Sequence, residues 1–368
     1  MREAWAPPPY PYDRLAPLRD KAAALPGGIV DLSIGDPTDP PLPEVVAALS
    51  SSGAERSYPT SVGSPEFRRA ASAWLATRLG VDVAPALIGA CVGTKEFVAG
   101  LPGWLRLRDP DRDTVLYPAV SYPTYEMGAV LAGCRAVAVP VEPGGIALDA
   151  IAPSDADRAL CLWVNTPGNP AGGLDDLDAV AAWGRARDVL VVSDECYVEF
   201  TWDGGPRTVL SSGLDGVLAV HSLSKRSNLA GVRSGFYAGD TELMAFLLEV
   251  RKHAGLMTPG PVMAAATVAL SDQAHVDAQR ERYWERLVRL REVLALAGVD
   301  APLPRGAFYL WARAPEGDDW GLVERLAIQG GMLTSPGEFY GDAGRGHVRV
   351  AAVAPLHRID LVARRLSS

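Results

Sequence analysis

The chain contains little cysteine, and its cysteines do not follow a cross-linking or metal-binding pattern. The four that it has, Cys91, Cys134, Cys161 and Cys196, are far apart and form no CxxC pair. This spacing argues against a disulfide framework and against a zinc site, so we expect no metal. Three of the four lie in or next to apolar, strand-like runs, which predicts buried free thiols and a reducing cytoplasm.

The chain also lacks an excess of positive charge and long apolar runs. Its 35 lysines and arginines are outnumbered by 44 aspartates and glutamates, which gives a net charge of −9. That balance argues against a general binder of nucleic acid or of anionic membranes. No apolar run approaches the roughly 20 residues that span a bilayer, and no apolar signal core follows Met1. We therefore expect a cytoplasmic protein whose partners are small molecules.

Short apolar runs alternate with stretches of helical spacing through the middle of the chain. The helical stretches include 66–79 and 174–184. Strands that alternate with helices predict an α/β fold, in which a mostly parallel sheet is covered by helices on both faces. The predicted strands are 114–117, 136–139, 159–164, 189–192 and 217–220.

The pattern changes after about residue 255. A long amphipathic helix is predicted over 276–296, and strands are predicted at 307–312 and 347–351. These elements predict a smaller α+β domain, which we expect the proline-rich N-terminal arm to join. The predicted division is 1–45 for the arm and part of the small domain, 46–255 for the large ligand-binding domain, and 256–368 for the C-terminal small domain.

Polar clusters follow three of the predicted strands, at the point where each strand ends. Asn169 belongs to the first cluster, Asp194 and Tyr197 to the second, and Ser224 and Lys225 to the third. Ligands of parallel sheets bind at the carboxyl ends of the strands, so we expect the clusters to meet in one pocket. Taken singly, each has another explanation: a turn, a helix N-cap, a core tyrosine or a solvated lysine.

The side chains of these clusters suit a phosphorylated pyridine aldehyde. Lys225 can form a Schiff base with an aldehyde, and Asp194 can keep a ring nitrogen protonated, which makes the ring an electron sink. Asn169 and Tyr197 can donate hydrogen bonds to a phenolate oxygen. Arg233 and the nearby serines can bind a phosphate, because arginine offers a rigid fork of donors. Pyridoxal phosphate is the cofactor that needs all of these groups.

Two segments upstream can complete such a site. Gly93 and Thr94 precede a helical stretch, and a glycine–hydroxyl turn at a helix start presents free N–H groups to a phosphate. An ordinary capped helix explains the same motif. Tyr122, in a Tyr-Pro-Thr-Tyr run, can stack on the ring, and a proline-rich surface turn is the alternative explanation.

These motifs, in this order and spacing, resemble those of the fold-type I, class I and II aminotransferases along nearly the whole chain. The resemblance implies a large domain, with a mostly parallel seven-stranded sheet between helices, and a smaller α+β domain. It also implies pyridoxal 5′-phosphate as the cofactor. The residues that carry the resemblance are Gly35, Tyr58, Gly63, 93–96, Tyr122, Tyr125, Asn165, Asn169, Asp194, Tyr197, Ser222, Ser224, Lys225, Arg233, 336–339 and Arg349.

The resemblance implies three catalytic residues, Lys225, Asp194 and Tyr197. Lys225 would bond to the cofactor aldehyde and then move a proton to and from the substrate α-carbon. Asp194 would pair with the ring nitrogen, and Tyr197 would bond the phenolate oxygen. The cofactor-binding set would be Gly93, Thr94, Lys95, Tyr122, Asn169, Asp194, Tyr197, Ser222, Ser224, Lys225, Arg233 and Tyr58.

The resemblance also implies a substrate site and a partner subunit. Arg349 would bind the substrate α-carboxylate, with Gly35, Asn169 and Tyr122 nearby. Tyr58 would reach the phosphate that is bound by the partner subunit, which makes a homodimer the active unit.

Within that family, the runs 193–197 and 221–231 resemble most closely the actinobacterial N-succinyldiaminopimelate aminotransferases. That resemblance implies synthesis of N-succinyl-LL-2,6-diaminopimelate from the 6-oxo acid, with glutamate as amino donor, in a ping-pong cycle of lysine biosynthesis. Alternatives on the same fold are a broad aspartate or aromatic aminotransferase and a β-lyase. A transcriptional sensor is disfavoured, because the segment before Gly35 is too short and too rich in proline to form a winged helix-turn-helix.

A substrate with two or more carboxylates needs a second cationic site, which sequence spacing does not identify. Arg251, Lys252 and His253 are candidates, and Lys95 and Arg226 are further ones. A polar helix end with cations near its C-terminus is the alternative explanation for 251–253.

Overall fold

A seven-stranded sheet forms the centre of the computed structural model, which describes residues 5–368. Its strands, in chain order, are β1 (Ile88–Cys91), β2 (Thr114–Pro118), β3 (Arg135–Val139), β4 (Ala159–Asn165), β5 (Leu190–Asp194), β6 (Val217–Ser222) and β7 (Gly235–Gly239). The spatial order is β1-β7-β6-β5-β4-β2-β3. β7 is antiparallel to both of its neighbours, and the other adjacent pairs are parallel.

Helices cover both faces of this sheet, because its strands are apolar on both sides. In β4 every residue is buried; Leu162 and Val164 join one core cluster, whereas Cys161 and Trp163 join the cluster on the other face. The α-helices are α1 (Ala16–Ala23), α2 (Pro43–Ser51), α3 (Pro65–Leu79), α4 (Thr94–Arg108), α5 (Thr124–Leu131), α6 (Pro153–Ala156), α7 (Leu177–Arg185), α8 (Leu223–Arg226), α9 (Thr241–His253), α10 (Gly260–Ser271), α11 (Ala274–Leu296), α12 (Asp319–Arg325) and α13 (Leu356–Leu366).

The mostly parallel, seven-stranded sheet confirms the predicted α/β fold. The five strands predicted for this sheet are present, and their ends differ by at most two residues from the prediction. The apolar runs did not reveal β1 and β7, which contain glycine where a larger residue would favour a strand. Gly89 is required by close packing, since a Cβ there would collide with the ring of Tyr237 on the paired strand.

A smaller part of the protein combines residues from both ends of the chain. Leu15 and Leu18 share a core with Tyr283 and Leu287 of α11. This part contains an antiparallel sheet of order β8-β10-β9, whose strands are β8 (Tyr309–Arg313), β9 (Ser335–Pro336) and β10 (His347–Ala351). Short pairs of two-residue strands join Val30–Asp31 to Met332–Leu333, and Val141–Glu142 to Gly145–Ile146.

The helix α10 lies with the larger part. It packs against α2 and α3, and its Met263 and Ala266 are buried in the core beneath the large sheet. We therefore propose a domain boundary after residue 271 instead of the predicted 255.

Within residues 5–368, no helix is both long enough and apolar enough to cross a membrane.

Candidate active site

The polar clusters that follow β4, β5 and β6 meet at one edge of the large sheet. Asn165, the last residue of β4, is paired in register with Asp194, the last residue of β5. Ser222 ends β6 and caps α8, the short helix that carries Lys225. Beside these strand ends lies a cavity of about 420 Å³. Its lining includes the predicted residues Gly35, Thr94, Lys95, Tyr122, Asn169, Asp194, Tyr197, Ser222, Ser224, Lys225, Arg233 and Arg349.

The antiparallel strand β7 brings Arg233 to this edge. β7 starts at Gly235, opposite Cys91 of β1 and Ser222 of β6, so Arg233 lies beside both strand ends. Its guanidinium contacts the turn after β1 so closely that a Cβ at Gly93 would collide with it. Gly93 also has a φ of +72°, a backbone conformation that favours glycine, so the turn and the close approach of the arginine both favour glycine here.

The turn before α4 and the serines after β6 form a group of donors that suits an anion. Gly93 is the N-cap of α4 and supplies no side-chain cap, while the first N–H groups of a helix have no intrahelical acceptor. Ser222, Ser224 and the guanidinium of Arg233 line the same cavity as Thr94. Helix N–H groups, hydroxyls and one guanidinium suit a phosphate dianion.

Asp194 is buried and held in place by two donors. The Tyr125 hydroxyl donates to Oδ2 at 2.8 Å, and the backbone N–H of Cys196 donates to Oδ1 at 3.2 Å. Burial raises the pKa of Asp194, because the charged carboxylate is poorly solvated. A cation placed beside it, such as a protonated ring nitrogen, would stabilise the charged form and lower that pKa.

The amine of Lys225 points into the cavity and donates a hydrogen bond to the carbonyl oxygen of Gly35. Burial lowers the pKa of Lys225 to about 8, because the ammonium form loses solvation. A larger fraction of this amine is therefore neutral near pH 8 than in an exposed lysine, as a nucleophile for an aldehyde must be.

Arg349, on β10, adds a buried cation to the lining of the cavity. Its Nη1 donates to Oδ1 of Asn169 at 2.8 Å, and its Nη2 donates to the carbonyl of Ser33 at 2.6 Å. The guanidinium lies over the rings of Tyr309 and Tyr340, at 4.3 and 4.7 Å from their centroids. Its Nε has no partner among the described residues. A fixed, buried guanidinium of this kind suits a carboxylate.

Two tyrosines complete the predicted lining. The Tyr197 hydroxyl lies 2.8 Å from that of Tyr309, so the position of its oxygen is fixed. Tyr122 packs edge-on against Tyr125, with 5.9 Å between ring centroids. The hydroxyl of Tyr197 is therefore held by a residue from a distant part of the chain, and the ring of Tyr122 by its neighbour on α5.

Two predicted residues lie outside the cavity lining. Gly93 adjoins it through the contact with Arg233. Tyr58 is 96% exposed and makes no contact with this chain's cavity. Residues that sequence reasoning did not assign to the site are Tyr10, Tyr12, Ile34, Tyr125, Asn165, Cys196, Ala230 and Tyr309. The Tyr-Pro-Thr-Tyr run was a signal for Tyr125, whereas the sequence analysis gave no role in the site to the tyrosines at 10, 12 and 309.

The candidates for a second carboxylate site separate clearly. Arg251 is fully buried and pairs with Glu96 at 2.6 Å, and Arg226 is buried beside Glu199 at 3.5 Å; neither lines the cavity. Lys95 does line it. Its Nζ lies 5.4 Å from the ring centroid of Tyr10, and no carboxylate of the described residues pairs with it within 4.0 Å.

The donors, the acid and the amine of this cavity fit pyridoxal phosphate. The turn at Gly93 and the side chain of Arg233 would hold the phosphate, Asp194 the ring nitrogen, and Lys225 the aldehyde. All of these groups lie at one edge of the sheet, so a single bound cofactor could contact them all at once.

Comparisons with known proteins agree with this chemistry. The family model "Aminotransferase class I and II" matches residues 28–366. The 4-dedimethylamino-4-oxo-anhydrotetracycline transaminase OxyQ of Streptomyces rimosus is 43% identical, over 100% of each chain. The probable aminotransferase Rv1178 of Mycobacterium tuberculosis is 42% identical, over 98% of this chain and 85% of that one. The solved structure of a probable N-succinyldiaminopimelate aminotransferase from Thermus thermophilus has a TM-score of 0.87 at 30% identity, over 96% of this chain and 98% of that one.

Proposed function

The chain belongs to the class I and II aminotransferases, and we propose that it moves the amino group of glutamate to a keto acid that carries a further anionic group. Members of this family use pyridoxal phosphate, which supplies an electron sink for the charge that develops at the substrate α-carbon. The observation that carries the proposal is that one cavity is lined by two cations. One is the buried Arg349, and the other is Lys95, which forms no ion pair with a carboxylate of residues 5–368.

The residues of the chain have separate tasks in this proposal. Arg349 binds the α-carboxylate and so fixes the orientation of the α-carbon. Lys225, once its amine is free, takes the proton from that carbon as a general base. Asp194 keeps the ring nitrogen charged by staying ionised beside it, and Tyr125 orients that carboxylate.

The substrate that we propose is the 6-oxo precursor of N-succinyl-LL-2,6-diaminopimelate, which places the enzyme in lysine biosynthesis in the cytoplasm. Its length calls for a second anion site away from Arg349, and Lys95 supplies one at the mouth of the cavity. Lys95 and Tyr10 also line an adjoining cavity of about 800 Å³, which offers space for the succinyl arm. We propose a homodimer as the active unit, with the exposed Tyr58 available to a partner subunit.

A second candidate is the amination of a bulky ketone. The Streptomyces rimosus relative is named for a 4-oxo-anhydrotetracycline substrate and is 43% identical over its whole length. The adjoining cavity is lined partly by apolar and aromatic side chains, among them Met127, Leu131 and Phe339, which suit a polycyclic ligand.

An acceptor screen separates these functions. With glutamate as donor, we expect the highest kcat/KM for the succinylated 6-oxo acid and lower values for oxaloacetate and phenylpyruvate. A β-lyase would cleave cystathionine, and we expect no such cleavage. The measurement is 2-oxoglutarate formation with each acceptor. Preference for a tetracycline ketone would favour the second candidate and reject the first.

The variant Arg349→Met is the control for the screen. The loss of a buried cation that pairs with a carboxylate costs about 2–5 kcal/mol, so kcat/KM for keto acids should fall by about 30-fold or more. A ketone without an α-carboxylate should be affected much less. Equal losses with both kinds of acceptor would mean that Arg349 only maintains the structure.

Lys95→Gln should lower the selectivity for the succinylated substrate. A hydrogen bond to a charged group contributes about 1.5–3 kcal/mol, so the ratio of kcat/KM for the succinylated acid to that for phenylpyruvate should fall about tenfold or more. Glutamine keeps the backbone N–H at the helix start, so the cofactor should remain bound. The ratio is the quantity to measure, and an unchanged ratio would remove Lys95 from the distal site.

A further inference from the structure

A buried ion pair lies behind the phosphate-binding turn. Arg251, near the end of α9, has an exposure of 0% and makes two hydrogen bonds to Glu96, from Nη2 to Oε1 at 2.6 Å and from Nη1 to Oε2 at 3.1 Å. The rings of Phe97, Trp104 and Tyr237 lie around its guanidinium at 5.0–5.4 Å. An arginine enclosed in this way does not line the cavity, and its two hydrogen bonds to Glu96 are what link it to the turn.

Glu96 connects this pair directly to the turn. The same Oε1 that accepts from Arg251 also accepts from the backbone N–H of Val92 at 2.9 Å. Val92 is the residue before Gly93, the N-cap of α4. In the common capping box, the third helical residue bonds to the N–H of the N-cap itself. Here the carboxylate bonds one residue earlier, so the N–H groups from Gly93 onward stay available to a ligand.

We infer that Glu96 and Arg251 are a positioning pair for the cofactor's phosphate group. The arginine fixes the carboxylate from the core side, the carboxylate fixes Val92, and Val92 fixes the turn that presents the N–H groups of Gly93 and Thr94. The inference rests on the cofactor assignment and is independent of the substrate proposal. It also explains the Arg251 side chain, which the sequence suggested as a substrate contact.

The test compares two ligands that differ only in the phosphate. Pyridoxamine 5′-phosphate and pyridoxamine bind the apo-protein without bonding to surface lysines, and calorimetry gives both dissociation constants. In Arg251→Met the constant for the phosphorylated ligand should rise about 10- to 100-fold, the range seen when residues that support metal ligands are removed. The constant for pyridoxamine should change less than about twofold, since no phosphate reaches the turn.

A matched control uses another buried bidentate pair. Arg286 donates to both oxygens of Asp39, at 2.6 and 2.7 Å, in the smaller part of the protein. Arg286→Met should lower the melting temperature without changing the ratio of the two constants. If Arg251→Met does not fold, Arg251→Lys replaces it, because lysine keeps the charge but loses the two-donor fork of the guanidinium. The ratio of the two dissociation constants is then measured for Arg251→Lys, with the same expected change.

The double variant Glu96→Gln with Arg251→Met gives a rescue. It removes the unpaired buried charge and keeps an oxygen for Val92, so it should recover part of the affinity for the phosphorylated ligand. The inference is overturned if Arg251→Met weakens both ligands equally, or if Arg286→Met changes the ratio to the same extent. If Arg251→Met retains the wild-type ratio of the two constants, the pair has no role at the phosphate, whereas the proposed function stands or falls with the acceptor screen on the wild-type enzyme.

Discussion

Replacement of Lys225 by alanine is expected to abolish transamination while the fold is preserved. The change removes the amine that α8 places in the cavity. Burial lowers the pKa of this amine to about 8. Proton transfer by a positioned side chain contributes about 10²–10⁴-fold to a rate, so kcat should fall by at least about 10³-fold when the covalent link is lost as well. Single-turnover assays with glutamate measure the loss, and visible absorbance reports the missing link to the cofactor.

Lys252→Ala is a suitable control for this result. Lys252 lies on α9 with its side chain 63% exposed, so its loss should leave both kcat and the absorbance unchanged. Circular dichroism and melting temperature should be similar for the two variants and the parent protein. A Lys225→Ala protein that transaminates at the parent rate would show that another amine performs the chemistry.

The variant Asp194→Ala is expected to keep the link through Lys225 but to slow proton removal from the substrate. Without this carboxylate the ring nitrogen loses its counter-charge, and the ring withdraws electrons less strongly. Loss of one preorganised electrostatic partner costs about 10²–10³-fold in kcat. The half-reaction with glutamate, followed by stopped-flow absorbance, isolates this step from amine transfer to the acceptor.

Asp175→Ala provides a control at a partly buried aspartate outside the cavity. Burial raises the pKa of Asp175 to about 6, and its Oδ1 accepts a hydrogen bond from the Ile146 N–H at 2.8 Å. Its loss should reduce stability with little effect on the half-reaction rate. If both variants slow the half-reaction equally, the effect of Asp194 is structural, and its role beside the ring nitrogen is wrong.

The apolar runs and the polar residues that follow them were sufficient to predict the parallel strands of the large sheet and the edge at which a ligand binds. Both properties are local. A buried parallel strand needs a continuous apolar run, and its carboxyl end is where the chain leaves the sheet. Asn169, Asp194 and Lys225 could therefore be placed in one pocket before their distances were known.

Other features depend on contacts between distant segments. The glycine-containing β7 became a strand through pairing with β1 and β6, and that pairing is what carries Arg233 to the phosphate side. Tyr12 and Tyr309 entered the site because the arm and β8 pack in one core.

Arg251 shows the same distinction most clearly. The sequence made Arg251, with Lys252 and His253, a candidate carboxylate site or, alternatively, part of a polar helix end. In the structure, three aromatic rings and Glu96 enclose its guanidinium. The chain's own sequence determined which residue types stand at the strand ends, and thus the chemistry available. Only the tertiary structure decided which charges meet a ligand and which meet each other, because burial of a side chain depends on packing partners far away in the sequence.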